Sequence, residues 1–328
     1  VVVSNQPTAL AGSSGDRGQK IPPKPRSISK ALQCQGFDQQ NERGRSMAGQ
    51  AAQWRELNGA WVLIPANPLG VIHFLGGAFV GAAPQFTYRW LLERLANRGY
   101  GTIATPFVNS GFDHEAIAED ALIRFDRAID WLYRHGQLRR RSIPVYGLGH
   151  SMGCKLHLLI GSIFEVERAG NALMAFNNYS AQRAIPLFDR FGPVLESINR
   201  AVPGAVPADV FDKRLNAEFT PSPTETEQLI AAQYGIRRNL LIRFATDDLD
   251  QSSRLAPILQ RRFPGWLALQ ELPGNHLTPL GQDIQWQTGG AFSPLDAIGQ
   301  WAKQEIFYRD LNRLSQELLR WLNPFESA

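Results

Sequence analysis

The sequence predicts an α/β protein, with a mostly parallel sheet, helices on both faces and a small helical cap inserted late in the chain. Three observations carry this reading. Short β-branched and apolar runs alternate with amphipathic stretches at helical spacing from about residue 54 to residue 322, the rhythm of a parallel sheet covered on both sides. Residues 142–160, SIPVYGLGHSMGCKLHLLI, read as a strand, a glycine-rich turn and a helix. Residues 181–239 break the rhythm, with Pro186, Pro203, Pro207, Pro221 and Pro223 among scattered apolar residues such as Phe188, Phe191, Val194 and Ile198. A stretch of that length inside a domain needs structure or function of its own, and it reads as the cap.

In chain order, residues 1–50 are polar and rich in Gln, Ser, Gly and Pro, which predicts a disordered extension. No 7–15-residue apolar core of a secretory signal is present there. Order begins near Trp54. Residues 60–65 and 70–75 read as strands joined by the turn Ala66-Asn67-Pro68-Leu69. A helix from about Gln85 carries Trp90, Leu91 and Leu95 and stops at Gly99. Residues 100–107 form a strand. Residues 115–134 form an amphipathic helix, with Ile117, Ala121, Leu122, Phe125, Ile129 and Leu132 on one face. After the glycine-rich turn come strands at 172–176, 240–245 and 267–272, a helix at 252–263, and a closing helix at 296–322. The core is thus expected over 51–180 and 240–328, with the cap at 181–239 between two sheet strands.

Composition narrows the function classes. The chain has 328 residues, 44% hydrophobic and 20% charged, enough for one large α/β domain plus an extension. Of the two cysteines, Cys34 lies in the polar extension and Cys154 in the helix after the turn, so neither a disulfide framework nor a zinc pattern is expected. No apolar run approaches the ~18–20 residues that span a bilayer. The formal charge is +4. The densest basic run, Arg139-Arg140-Arg141, lacks the interleaved aromatics of a nucleic-acid surface, and it reads as a solvated loop.

The chemistry concentrates in Gly149-His150-Ser151-Met152-Gly153, a G-x-S-x-G sequence between strand and helix. In that context the pattern is a nucleophile elbow, which presents Ser151 at the end of the sheet with the Met152 N–H beside it as an oxyanion donor. A serine hydroxyl needs a base, and the base needs an acid to hold its tautomer. With this elbow the chain order is Ser, acid, His. The strand at 240–245 runs into Thr246-Asp247-Asp248-Leu249-Asp250, from which Asp248 is the chosen acid. Asp247 is the alternative, and Asp250 fits a helix N-cap. Of six histidines only His276 follows these acids, in the loop Leu272-Pro273-Gly274-Asn275-His276, and it is the expected base. His150 neighbours the nucleophile and can shape the pocket; His73, His114, His135 and His157 read as structural or solvated. The second oxyanion donor is expected at Gly77 or Ala78, in the small-residue loop after the second strand. That loop lacks the G-x-G-x-x-G spacing of a dinucleotide site, so no cofactor and no metal is expected.

These residues resemble the α/β-hydrolase superfamily. Within it, the strings HFLGGAFVGAAPQFTYRWLLERLANRGYGTIATPF, GLGHSMGCKLHLL, AFNNYSAQRAIPLF, FTPSPTETEQLI and NLLIRFATDDLDQS followed by LPGNHLTP resemble an uncharacterised hydrolase-like family of cyanobacteria and plant plastids. The resemblance runs from about Trp54 to the C-terminus. It implies the fold, a Ser151–His276–Asp248 triad and a photosynthetic setting, and no substrate. The loop Leu75-Gly76-Gly77-Ala78 departs from the His-Gly common in active hydrolases. The expected activity is cleavage of an acyl ester, with the apolar cap favouring a hydrophobic or lipid-like substrate and leaving room for peripheral membrane contact. An acyltransferase with the same triad, or a non-catalytic binder of a lipid, pigment or partner with Asn177 and Asn178 lining its pocket, are the alternatives. The expected location is cytoplasmic, or the plastid stroma if the basic extension is a transit peptide.

Overall fold

A computed structural model describes residues 52–107, 112–139, 142–183, 196, 199–200, 203, 218–280 and 294–323, the last stretch by backbone alone as far as residue 307. The extension over residues 1–50 and most of the expected cap lie outside the described residues.

The strands are β1 (Arg55–Leu57), β2 (Ala60–Leu63), β3 (Gly70–Leu75), β4 (Tyr100–Ala104), β5 (Val145–His150), β6 (Gly170–Met174), β7 (Asn239–Phe244) and β8 (Leu267–Leu272). The helices are α1 (Pro84–Thr87), α2 (Arg89–Ala96), α3 (His114–Arg134), α4 (Met152–Ile163), α5 (Pro223–Gln233), α6 (Ser252–Arg262) and α7 (Pro294–Leu322). Among the described residues the strands form one sheet in the order β1-β2-β4-β3-β5-β6-β7-β8. β1 pairs antiparallel with β2, and β2 antiparallel with β4; every other pairing is parallel. β1 is an addition to the sequence reading. It pairs with β2 across Asn58–Gly59, both at positive φ, the two-residue turn whose twist suits a tight hairpin.

Strands β3, β4 and β6 are buried at every position, as parallel strands with helices on both faces must be. Alternation along β3 sorts the faces. Ile72 and Phe74 pack with Leu91, Leu92 and Leu95 of α2 and with Leu311, Leu314 and Leu318 of α7. Val71 and Leu75 face the other way, toward α3 and α4. Helix α3 opens with Asp113 Oδ1 accepting from the Ala116 N–H at 2.9 Å, an N-cap. Helix α4 is buried from Met152 to Ser162. It reads as apolar nearly all round because α3 lies on one side of it and α5 on the other.

The position of α5 changes the expected cap boundary. Ile230, Tyr234 and Ile236 pack with Cys154, Leu158, Leu241 and Leu255, so residues 223–236 belong to the layer covering the sheet. The described part of the insertion is its neck. There, one carboxylate oxygen of Glu218 accepts from the Ala181 N–H at 3.0 Å and the Phe219 N–H at 2.8 Å, tying the outgoing chain to the returning one. Lys155 of α4 donates to the Pro221 carbonyl at 3.0 Å and stands over the Phe219 ring.

Candidate active site

The parallel strands direct their C-terminal ends to one edge, where the loops after β3, β5, β6, β7 and β8 meet. Ser151 sits between β5 and α4 at φ 55°, a conformation unfavourable for a residue with a Cβ. The surrounding contacts enforce it. Its N–H donates to the Met174 carbonyl at 2.9 Å. A Cβ on Gly149 would meet the Cys154 backbone at 2.8 Å, and one on Gly153 would lie 2.1 Å from the Leu75 carbonyl oxygen. The two outer glycines of the motif therefore answer to close backbone approach, which lets α4 lie directly against the strand ends.

The serine hydroxyl is one end of a hydrogen-bonded chain. Ser151 Oγ lies 3.0 Å from His276 Nε2, and His276 Nδ1 lies 2.9 Å from Asp247 Oδ2. Ser151 and His276 are each 7% exposed. The loop carrying His276 turns at Gly274, φ 119°, where a Cβ would strike Thr278 Oγ1 at 2.3 Å. The same loop is tied to the acid loop, for both the N–H and the hydroxyl of Thr246 donate to the Gly274 carbonyl.

The acid was expected at Asp248; the carboxylate that meets His276 in the structure is that of Asp247. Asp247 follows β7 with its Oδ2 toward His276 and its Oδ1 accepting the Leu249 N–H at 2.9 Å. Its side chain is fully buried, whereas Asp248 is exposed. Asp250 accepts from the N–H and the hydroxyl of Ser252 at the start of α6, close to its expected capping role. Burial raises its carboxyl pKa.

The oxyanion donors are partly revised as well. Met152 is the first residue of α4, so its N–H is among those the helix itself leaves without an acceptor. The Gly77 N–H, expected as a second donor, is taken by the Tyr88 hydroxyl at 2.8 Å; Ala78 follows it in the same loop. Gly77 nonetheless lies against Ser151, since a Cβ there would be 3.3 Å from Ser151 Cβ.

Tyr88 was not singled out from the sequence, and it links three loops. Its hydroxyl lies 2.7 Å from His150 Nδ1, and His150 Nε2 lies 2.8 Å from the His276 carbonyl oxygen. Only one proton arrangement satisfies every contact. The carbonyl can only accept, so His150 Nε2 carries the proton. Burial, and then the neighbouring His276, hold His150 well below the usual imidazole range, so its Nδ1 is bare and accepts from the Tyr88 hydroxyl. The Tyr88 oxygen in turn accepts from Gly77. A buried tyrosine hydroxyl requires a partner; that need was the signal in the sequence, though not the partner's identity.

Asn177, which follows β6, donates from Nδ2 to Ser151 Oγ at 2.9 Å. Asn178 instead donates from its side chain to the Pro223 carbonyl. The remaining histidines lie away from the nucleophile. His73 contacts Thr105 Oγ1, His114 stacks on Phe219, His135 stacks on Trp131 and His157 packs edge-on to His73. Among the described residues no group of three His, Cys, Asp or Glu side chains could hold a metal, and no helix is long and apolar enough to cross a membrane.

A family model described as "Protein of unknown function (DUF1350)" matches residues 53–324. Among curated proteins none matches the chain. Among solved structures, the chain is similar to a soluble variant of monoglyceride lipase from Saccharomyces cerevisiae in complex with a substrate analog. The identity is 13% and the TM-score 0.50, over 87% of this chain and 98% of that one. It is also similar to esterase B from Lactobacillus rhamnosis, at 12% identity and TM-score 0.46 over 85% and 92% of the two chains. Carboxyl esterase 2 from the mycorrhizal fungus Tuber melanosporum matches at 16% identity and TM-score 0.46 over 81% and 89%. At 13% identity the likeness to the lipase structure shows the fold alone, an α/β-hydrolase fold.

Proposed function

This chain belongs to the DUF1350 family, whose description assigns no activity, and we propose that it is a serine hydrolase that cleaves an acyl ester. One observation supports this above the rest: the unbroken chain Asp247–His276–Ser151 ends on a serine held at positive φ. Ser151 Oγ attacks the acyl carbon while His276 Nε2 takes its proton. The imidazolium that forms is stabilised by Asp247, which also keeps the proton on Nδ1 beforehand. The oxyanion is received by the N–H groups of Met152 and Ala78. His276 then gives its proton to the departing alcohol, and water repeats the sequence to release the acid. The apolar residues of the 181–239 stretch, Phe188, Phe191, Val194 and Ile198, favour a hydrophobic acyl group.

The test is covalent labelling of the full chain by a fluorophosphonate, with Ser151→Ala and His276→Ala as controls. Labelling that requires both residues is the expected result. Ser151→Ala should also lower ester turnover by at least ~10³-fold. Folded wild-type protein that takes no label would overturn the reading.

A further inference from the structure

We infer that Asn177 is a further catalytic residue, whose side-chain N–H receives the charge returning to Ser151 Oγ as the acyl group leaves. The inference rests on the hydrolase reading above and assigns to one of its two half-reactions a group outside the triad.

The hydrogen inventory at Ser151 fixes what Asn177 offers. In the neutral imidazole that acts as the base, Asp247 accepts the proton of His276 Nδ1, and Nε2 is bare and accepts the Ser151 O–H. Oγ has no further proton to give. Its contact with Asn177 at 2.9 Å must therefore be a donation from the amide, and the nitrogen faces the serine.

The surroundings hold that amide in place. The chain leaves β6 through Ala175 at φ 52°, a costly conformation for alanine, kept by its N–H donating to the Ile242 carbonyl at 2.8 Å. Gln251 then brackets Asn177. Its N–H donates to the Phe176 carbonyl and its Oε1 accepts the Asn178 N–H, both at 2.6 Å. From the far side Asn178 Nδ2 donates to the Pro223 carbonyl at 2.9 Å. A half-buried amide fixed by both of its chain neighbours and aimed at the nucleophile is pre-organised for a role there.

That role is asymmetric between the half-reactions. In the free enzyme the serine oxygen already has the Asn177 N–H. In the acyl-enzyme Oγ is an ester oxygen, a weak acceptor, and most of that bond is lost. During deacylation, water bonds to the acyl carbon and passes a proton to His276 Nε2. The tetrahedral intermediate then breaks its C–Oγ bond, the electron pair returns to Oγ, and His276 delivers the proton to it. The Asn177 N–H meets the same developing charge when Ser151 attacks, but there the free enzyme already holds the bond to the hydroxyl, so the deacylation barrier, measured from an acyl-enzyme that has lost it, is lowered more than the acylation barrier. Asn177 thereby sets how long the acyl group stays on Ser151.

The experiment is stopped-flow hydrolysis of p-nitrophenyl acetate by wild type, Asn177→Leu, which keeps the heavy-atom count without a donor, and Asn177→Ala, each checked for a wild-type-like thermal transition. The expected result is a fall of roughly 2- to 10-fold in the ratio of deacylation to acylation rate constants, the range for one hydrogen bond to a neutral hydroxyl, seen as a larger p-nitrophenolate burst per site than in wild type. Wild-type turnover with that ratio unchanged in both variants would overturn this inference and leave the hydrolase reading standing. Wild type that takes neither the ester nor a fluorophosphonate would remove both.

Discussion

Asp247 Oδ2 lies 2.9 Å from His276 Nδ1, with the carboxylate wholly buried beneath the loop that carries the histidine. A carboxylate in that position fixes the tautomer of the imidazole, whereas its neighbour one residue on is exposed to solvent. Asp247→Asn should therefore lower kcat for ester hydrolysis by about 10⁴-fold, the scale of a mis-set tautomer. Asp248→Asn should stay within about threefold of wild type. Steady-state kinetics on one chromogenic ester decides between them, and the reverse pattern would restore Asp248 as the acid.

The Tyr88 hydroxyl satisfies two buried groups at once, the Gly77 N–H and His150 Nδ1. Tyr88→Phe preserves the ring and leaves both without a partner. Each orphaned group costs ~1–3 kcal/mol, so the urea midpoint should fall with the m-value unchanged. A midpoint equal to wild type would mean the hydroxyl is dispensable.

Two glycine substitutions separate space from backbone conformation. An alanine Cβ at 153 would meet the carbonyl oxygens of Leu75 and Gly76 at 2.1 and 2.5 Å, whereas one at Gly136 meets nothing within 4 Å although φ is 68°. Gly153→Ala should cost more than ~4 kcal/mol or fail to give folded protein. Gly136→Ala should cost only the ~1–2 kcal/mol of a left-handed residue. Thermal unfolding of the pair would show the difference, and equal losses would refute the close approach at Gly153.

Lys155 is 2% exposed, and burial brings its ammonium down to about 7 against the opposing pull of Glu218 and Glu225. An unfolded lysine titrates near ~10.4. Between those values the unfolded chain holds a proton that the folded one lacks, so this residue makes stability rise with pH from about 7 to about 10.4, by up to ~1.4 kcal/mol per unit. Below pH 7 both states are charged and its contribution is flat. Lys155→Met should reduce the slope of unfolding free energy against pH between 7.5 and 9.5 by up to that amount. Parallel curves for the two proteins would contradict a neutral buried lysine.

Much of this architecture was legible because parallel strands and covering helices leave strong periodic signals. The face of α3 and the short buried strands β3, β4 and β7 needed no tertiary information. Ser151 and His276 were legible for a different reason, since each lies in a loop that follows a strand in the required chain order. The acid was not. Asp247, Asp248 and Asp250 share one loop, and which of them turns inward depends on how Thr246 ties that loop to Gly274 across 28 residues of sequence. Tyr88 was obscured likewise, and Asn177 was expected only as a pocket-lining residue. Their partners are 62 and 26 residues away, and neither residue type distinguishes a site from a surface. β1 could have been found from Asn58–Gly59 alone, a dipeptide that favours a two-residue hairpin turn.

At the neck of the insertion, a single Glu218 oxygen receives the chain both where it departs, at Ala181, and where it returns, at Phe219. The insertion is thus closed at its base by a contact next to the sheet. Doubling the length of a loop closed at such a neck changes closure entropy by only ~0.6 kcal/mol, so the number of residues strung between Arg183 and Glu218 is a weak term in the stability of the sheet that holds Ser151.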